Sequence, residues 1–166
     1  MSALRLSSSL RAASRQVSAI RVARRGYADV ADGALKLSLA LPHQSLFTSS
    51  AVTQVNIPAY TGDMGVLANH VPTIEALRPG VVEVIEEGGK TGKWFVSAGF
   101  ATVHGNNSIT INAVDAYPLD AFTIENVRAG LAEANKVIAS SAPEAEKAEA
   151  RVEVEVFEAI QAALAK

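Results

Sequence analysis

Few residues in this sequence stand at spacings that could do chemistry. Gly89-Lys90-Thr91 matches the end of a phosphate-binding loop. The full motif also needs a glycine five positions before Gly89, where Val84 stands, and a strand-to-helix junction at which amides and the helix dipole meet the phosphate. The flanking patterns here are both strand-like, so the segment reads as a hairpin turn. His43, His70 and His104 have no second histidine or carboxylate at helical ligand spacing, so they predict no metal site and read as structural or surface residues. The chain has no cysteine, which excludes disulfides, thiolate metal sites and cysteine nucleophiles. Glu144, Glu146, Glu149, Glu153, Glu155 and Glu158 read as the solvated face of a helix. No serine–histidine–carboxylate arrangement can be argued. The sequence therefore assigns no catalytic, cofactor-binding or metal-binding residue, and predicts a protein that acts by binding others.

One segment does not read as plain connection. Residues 61–80 carry Gly62, Gly65 and Gly80 with Pro72 and Pro79. Glycines permit backbone conformations barred to other residues, and prolines stiffen the exits. Met64, Val66 and Leu67 are poorly placed for water alone. The expectation is a stiff, partly apolar loop between two strands that serves as a docking surface. Gly62, Asp63, Met64, Gly65, Val66 and His70 are its candidate partner-binding residues. His70 is read as bracing the loop.

The elements that must position this segment differ between two halves. Over 28–119 the pattern is strand-like. Leu35, Leu37, Leu39 and Leu41 alternate with Lys36, Ser38 and Ala40, and Val55 and Ile57 repeat the alternation before Pro58. Val81–Glu87 ends at Gly88-Gly89, and Lys93–His104 reads as one longer run. Gly105-Asn106-Asn107 is a turn before Ser108–Val114. Short strands punctuated by turns predict an all-β sandwich. Over 120–166 the period changes. Ile124, Val127, Leu131, Ala134 and Ile138 form one helical face, with Thr123 as N-cap and Phe122 and Val127 at staple positions. Ser140–Glu144 breaks that helix, and Ser141 and Glu144 have capping-box spacing for a second. Ala145, Ala148, Val152, Val156, Ile160 and Ala163 would form its apolar face. The short link predicts an antiparallel α-helical hairpin after the sandwich.

Residues 1–27 stand apart from both halves. They contain six arginines, six serines and no acidic residue, with apolar residues interleaved, which is the composition of a mitochondrial transit peptide. Arg25-Gly26-Tyr27-Ala28 resembles a matrix processing site, with cleavage between Tyr27 and Ala28. An imported matrix protein does not meet the machinery that would use the Asn106-Asn107-Ser108 sequon. Nine basic and all 17 acidic residues lie beyond residue 27, a formal charge of −8. That charge opposes binding to a phosphate backbone and predicts no nucleic-acid partner. No apolar stretch is long enough to span a bilayer.

The run Gly62-Asp63-Met64-Gly65, with His70, Pro72 and Leu77-Arg78-Pro79-Gly80, resembles the small central-stalk subunit family of rotary ATP synthases. The family is called delta in mitochondria and epsilon in bacteria and chloroplasts. The similarity continues through Phe95–Val103, Ala113-Val114-Asp115-Ala116 and Leu119-Asp120 and covers residues 35–165 in order. What the resemblance implies is a sandwich that binds the gamma subunit and rests on the polar loops of the c-ring. The mitochondrial epsilon subunit packs against sandwich and hairpin. The subunit couples ring rotation to ATP synthesis as a non-catalytic rotor component, peripheral to the matrix side of the inner membrane. The alternative it implies is a regulator whose hairpin modulates ATP hydrolysis. Some bacterial relatives bind ATP through a motif resembling Ile/Leu-Asp-x-x-Arg-Ala. Here Ile124-Glu125-Asn126-Val127-Arg128-Ala129 carries a carboxylate one methylene longer, so the segment reads as a helix start with an acidic first turn and no cofactor is expected.

Overall fold

The computed structural model describes residues 34–165, so the reading of residues 1–27 and of the Tyr27–Ala28 junction lies outside the described residues. Strand β1 (Leu35–Ala40) buries Leu35, Leu37 and Leu39 and turns Lys36 to solvent, as its alternation requires. It runs parallel to β8 (Ser108–Ala113) and antiparallel to the first half of β2 (Ser45–Ala59). Register shifts between Leu37 and Ala40, and a positive φ at Ser49, let this long strand bend from one sheet into the other. Its second half then pairs with β3 (Gly62–Leu67) on one side and β5 (Gly80–Glu86) on the other. The remaining strands are β4 (Thr73–Leu77), β6 (Thr91–Val96), β7 (Gly99–His104) and β9 (Ala116–Pro118). Leu37, Leu39, Val52, Val55, Val66, Val82, Ile109 and Ile111 fill one aliphatic core. The β5–β6 hairpin turns on Gly88 and Gly89, both at positive φ, so Gly89-Lys90-Thr91 is a strand connection.

Two expectations about strands are corrected. Residues 61–80 are not one loop: they contain β3 and β4, joined by residues 68–72. Gly65 and Gly62 sit in regular antiparallel pairs with Asn56 and Ala59. Nor is Lys93–His104 one strand. The chain leaves β6 at Val96, crosses at Ser97-Ala98 and enters β7 in the other sheet. The β8–β9 connection crosses beside it, with hydrogen bonds Ser97 N to Asp115 O (3.2 Å) and Val114 N to Ala98 O (3.0 Å). The four strands thus form one antiparallel ribbon that bends between sheets, which is why residues 93–104 read as a single run.

A 3-10 turn (Leu119–Ala121) leads into α1 (Ile124–Ala139) and α2 (Glu144–Leu164). Thr123 holds the N-cap position with extended dihedrals, and its carbonyl accepts the Val127 N–H at 3.1 Å, but its hydroxyl makes no cap bond. Phe122 and Val127 pack in one cluster, as staple positions require. The Ser141–Glu144 capping box does not form. Pro143 occupies the N-cap position and biases Ala142 away from helical dihedrals, so the helix starts too late for Ser141 to cap it. The second face is also corrected. Ala145 and Ala148 are exposed, and Val152 is 62% exposed. Ile160 is buried and Val156 packs beside it, as expected, but Ala150 takes the buried place in the first half, and Phe157 fills the space left by Gly130 of α1, where a Cβ would lie 2.5 Å from its ring. Glu144 is bonded by Arg151 at 2.8 Å. That hydrogen bond and the guanidinium charge hold its carboxyl below the usual glutamate range.

The hairpin meets the sandwich through Phe95, Val127 and Ile160, with Leu119, Phe122, Val156 and Leu164 around them. Phe95 and Phe122 stand edge to face at 5.8 Å. Among the described residues no side-chain hydrogen bond or ion pair joins residues 34–118 to residues 124–165; the junction is apolar throughout.

Candidate partner-binding end of the sandwich

The β2–β3 hairpin closes on Tyr60 and Thr61, between the paired residues Ala59 and Gly62. Its tip projects at one end of the sandwich. Tyr60 is 72% exposed, although its N–H is bonded to Ala76 O at 2.8 Å. Thr61 Oγ1 donates to Glu75 Oε2 at 3.2 Å. Asp63 accepts a charge-assisted bond from Arg78 Nη2 at 2.5 Å. Gly62, between these two tied residues, has φ +134°, a conformation that glycine adopts without strain. Beside the tip lies a shallow apolar hollow of about 500 Å³ lined by Leu41, Pro42, Tyr60, Leu77, Phe100 and Val114. Phe100 and Val114 are both exposed. The end thus presents aromatic and aliphatic surface next to a fixed carboxylate–guanidinium pair, a composition suited to protein contact.

The structure does not bring the six candidate residues together. Gly62 and Asp63 are at this end. Met64 packs partly against the core, and Val66 is fully buried in it, so Val66 is a core residue and offers nothing to a partner. Gly65 faces a second cleft, of about 590 Å³, between the sheet and the alanines of α2. A Cβ at Gly65 would lie 3.1 Å from Asn56 Oδ1 and 3.2 Å from Gln54 Nε2. Glycine there leaves room for a ladder in which Gln54 donates to Asn56 (2.6 Å) and Asn56 to Glu83 (2.8 Å). His70 lies toward the opposite end. Its Nδ1 is 2.8 Å from Val71 O, and neighbouring Asn69 N is bonded to Asn107 Oδ1 in the β7–β8 turn at 2.7 Å. Six residues of β3 at about 3.4 Å each separate it from the tip by roughly 20 Å. The sequence reading missed Tyr60, Phe100 and Val114 as surface residues, and Arg78 as the partner of Asp63. Tyr60, an aromatic residue two positions before a turn glycine, was the available signal.

Residues 34–119 match the family model described as ATP synthase, Delta/Epsilon chain, beta-sandwich domain. The chain belongs to the ATP synthase delta/epsilon family. Residues 122–162 match the fungal epsilon subunit of F1F0-ATP synthase C-terminal domain. The mitochondrial ATP synthase subunit delta of Agaricus bisporus is 61% identical over 166 residues, covering both chains completely. The Saccharomyces cerevisiae subunit delta is 51% identical, covering 86% of this chain and 89% of its own. Among solved structures, a chain of the Euglena gracilis mitochondrial ATP synthase OSCP/F1/c-ring assembly superposes with TM-score 0.74 at 34% identity, over 80% of this chain and 82% of that one. As a member of this family the chain is a non-catalytic central-stalk subunit of mitochondrial ATP synthase. No helix among its described residues is long and apolar enough to cross a membrane.

Proposed function

We propose that this chain is the foot of the rotor, coupling c-ring rotation to ATP synthesis in the catalytic head through gamma. The observation that carries the reading is the β2–β3 tip: an exposed tyrosine and a fixed Asp63–Arg78 pair beside an apolar hollow, on a chain of the delta/epsilon family. In this reading the tip, with Gly62 and Asp63, meets the polar loops of the c-ring. The outer face of β4 and β7, where Ile74 and Phe100 are exposed, packs against gamma, and the mitochondrial epsilon subunit contacts sandwich and hairpin. The subunit is peripheral, on the matrix side of the inner membrane. Met64 and Val66 support this arrangement from the core of the sandwich, Gly65 from the cleft facing α2, and His70 from the far end.

Because the chain has no cysteine, Tyr60→Cys introduces a single thiol at the tip. A thiol-specific photo-cross-linker on it, in assembled membranes, is expected to yield an adduct with the ring subunit. Adducts confined to head subunits would move the ring contact elsewhere.

We further propose that residues 1–27 direct import and are removed, leaving 28–119 as the sandwich and 120–166 as the hairpin. The arginine- and serine-rich, acid-free composition supports this. N-terminal sequencing of the protein from mitochondria is expected to begin at Ala28; a mature chain that still contains Arg5 would overturn the targeting argument. A second reading, in which the hairpin regulates ATP hydrolysis, has one observation in its favour: the wholly apolar junction through which the hairpin is attached.

A further inference from the structure

We propose that the Tyr60–Asp63 tip is held in one orientation by two side-chain clamps, which makes Arg78 and Glu75 positioning residues for the ring contact; this rests on the ring-facing reading above. The tip turns on Gly62, whose φ is +134° and around which a Cβ would meet nothing within 4 Å. Gly62 pairs with Ala59 and Tyr60 N–H is bonded to Ala76 O, which hold the backbone, but Gly62 has no side chain to brace the tip, so side-chain bracing must come from its neighbours. The residues on either side of it are tied down. Thr61 Oγ1 donates to Glu75 Oε2 at 3.2 Å, and the other oxygen of that carboxylate accepts from Thr73 Oγ1 at 3.3 Å, so the carboxylate is oriented from within β4. Asp63 is bonded to Arg78, at the β4–β5 junction.

The backbone that carries Arg78 is itself fixed. Its N–H is bonded to Pro58 O at 3.0 Å, Pro79 restricts its backbone to extended dihedrals, and Gly80 lies against the Pro58 ring, where a Cβ would come within 2.7 Å. The Arg78 and Asp63 side chains are 43% and 69% exposed, and an ion pair so exposed adds little to folding stability. What the pair supplies is direction. It holds the carboxylate and the exposed Tyr60 on a rigid support, as a part that carries torque across a small contact requires.

The test uses Tyr60→Cys, spin-labelled in the mature subunit, together with protons pumped per ATP hydrolysed in membranes assembled with each variant. Arg78→Gln is expected to raise label mobility and to lower the pumping ratio by roughly two- to five-fold, the span that an exposed ion pair commands, and Glu75→Gln, which loses one of two hydroxyl bonds and no ion pair, is expected to do both to a smaller extent. The melting temperature of the subunit should stay unchanged. Arg78→Lys should recover part of both, since it restores the charge without the planar fork. Label mobility unchanged in both glutamine variants overturns the clamps. Raised mobility with an unchanged ratio overturns their positioning role, and a parallel fall in melting temperature would make the effect one of stability. If the tip fails to cross-link to the ring, the ring-facing reading fails, while label mobility still decides whether the clamps exist.

Discussion

Gly99→Ala is expected to be the most damaging single-methyl change in the sandwich. Gly99 opens β7 directly after the crossing between sheets, with φ +156°. A Cβ there would lie 2.3 Å from the carbonyl oxygen of Asn112 and 2.9 Å from the Cα of Ala113. Both are backbone atoms of the paired strand β8, so no rotamer change relieves the overlap. The strands must separate by about 1 Å to restore an ordinary carbon–oxygen contact. The unfavourable φ adds a cost of about 1–3 kcal/mol, and overpacking a further 1–3. A combined loss of about 2–6 kcal/mol corresponds to a melting temperature lower by roughly 8 °C or more in a domain of this size. Gly88→Ala is the control. Its φ of +100° is also positive, but a Cβ there would meet nothing within 4 Å, so only the dihedral cost applies. Thermal unfolding of the two variants of the mature subunit separates these terms. Equal midpoints would mean that the crossing is looser than the Gly99–Asn112 distance requires.

Phe95→Ala is expected to release the hairpin and leave the sandwich folded. Phe95 is 2% exposed and belongs to the junction cluster with Val127 and Ile160, not to the aliphatic core. Truncating a buried phenylalanine costs about 3–5 kcal/mol. Here that loss falls on an interface with no hydrogen bond or ion pair in reserve among the described residues. The ring also stacks edge to face with Phe122, which itself stands edge to face with Tyr117 at 6.2 Å, so its removal loosens both aromatic contacts at the helix entry. Two helices of 16 and 21 residues, deprived of their support, are marginal in water. Limited proteolysis should cut the variant near residues 119–123, and melting should separate into a low-temperature helical step and a later β-sheet step. One cooperative transition that takes the sandwich with it would show that the two parts fold as a unit. ATP hydrolysis by membranes carrying this variant also bears on the regulatory reading. A changed rate with normal assembly would favour the hairpin as a modulator, and an unchanged rate would favour a fixed docking element.

Local pattern determined much of this architecture. The alternating leucines of β1 had one apolar face to bury and buried it, because side chains of successive strand residues point to opposite sides whatever the partner strand. Gly88 and Gly89 specified a strand-to-strand turn, since the positive dihedrals that the hairpin needs are available to glycine without strain. The change of apolar period near residue 120 specified sheet before helices, and the residues from Gly62 to Gly80 carried the family resemblance.

Tertiary structure decided the rest. Nothing local distinguishes a glycine-rich edge strand from a loop, and only pairing with Gln54–Ala59 makes Gly62–Leu67 a strand. That pairing sends Val66 inward and carries His70 to the opposite end from Asp63, which periodicity within residues 62–70 could not reveal. Residues 93–104 kept one pattern across a bend because the whole ribbon bends, with Gly99 accepting the close approach of β8. In α2, alanines and valines occur on more than one side, so apolarity alone did not select the face that packs against α1. Gly130 selected it, by leaving on a different helix the one space into which the Phe157 ring fits.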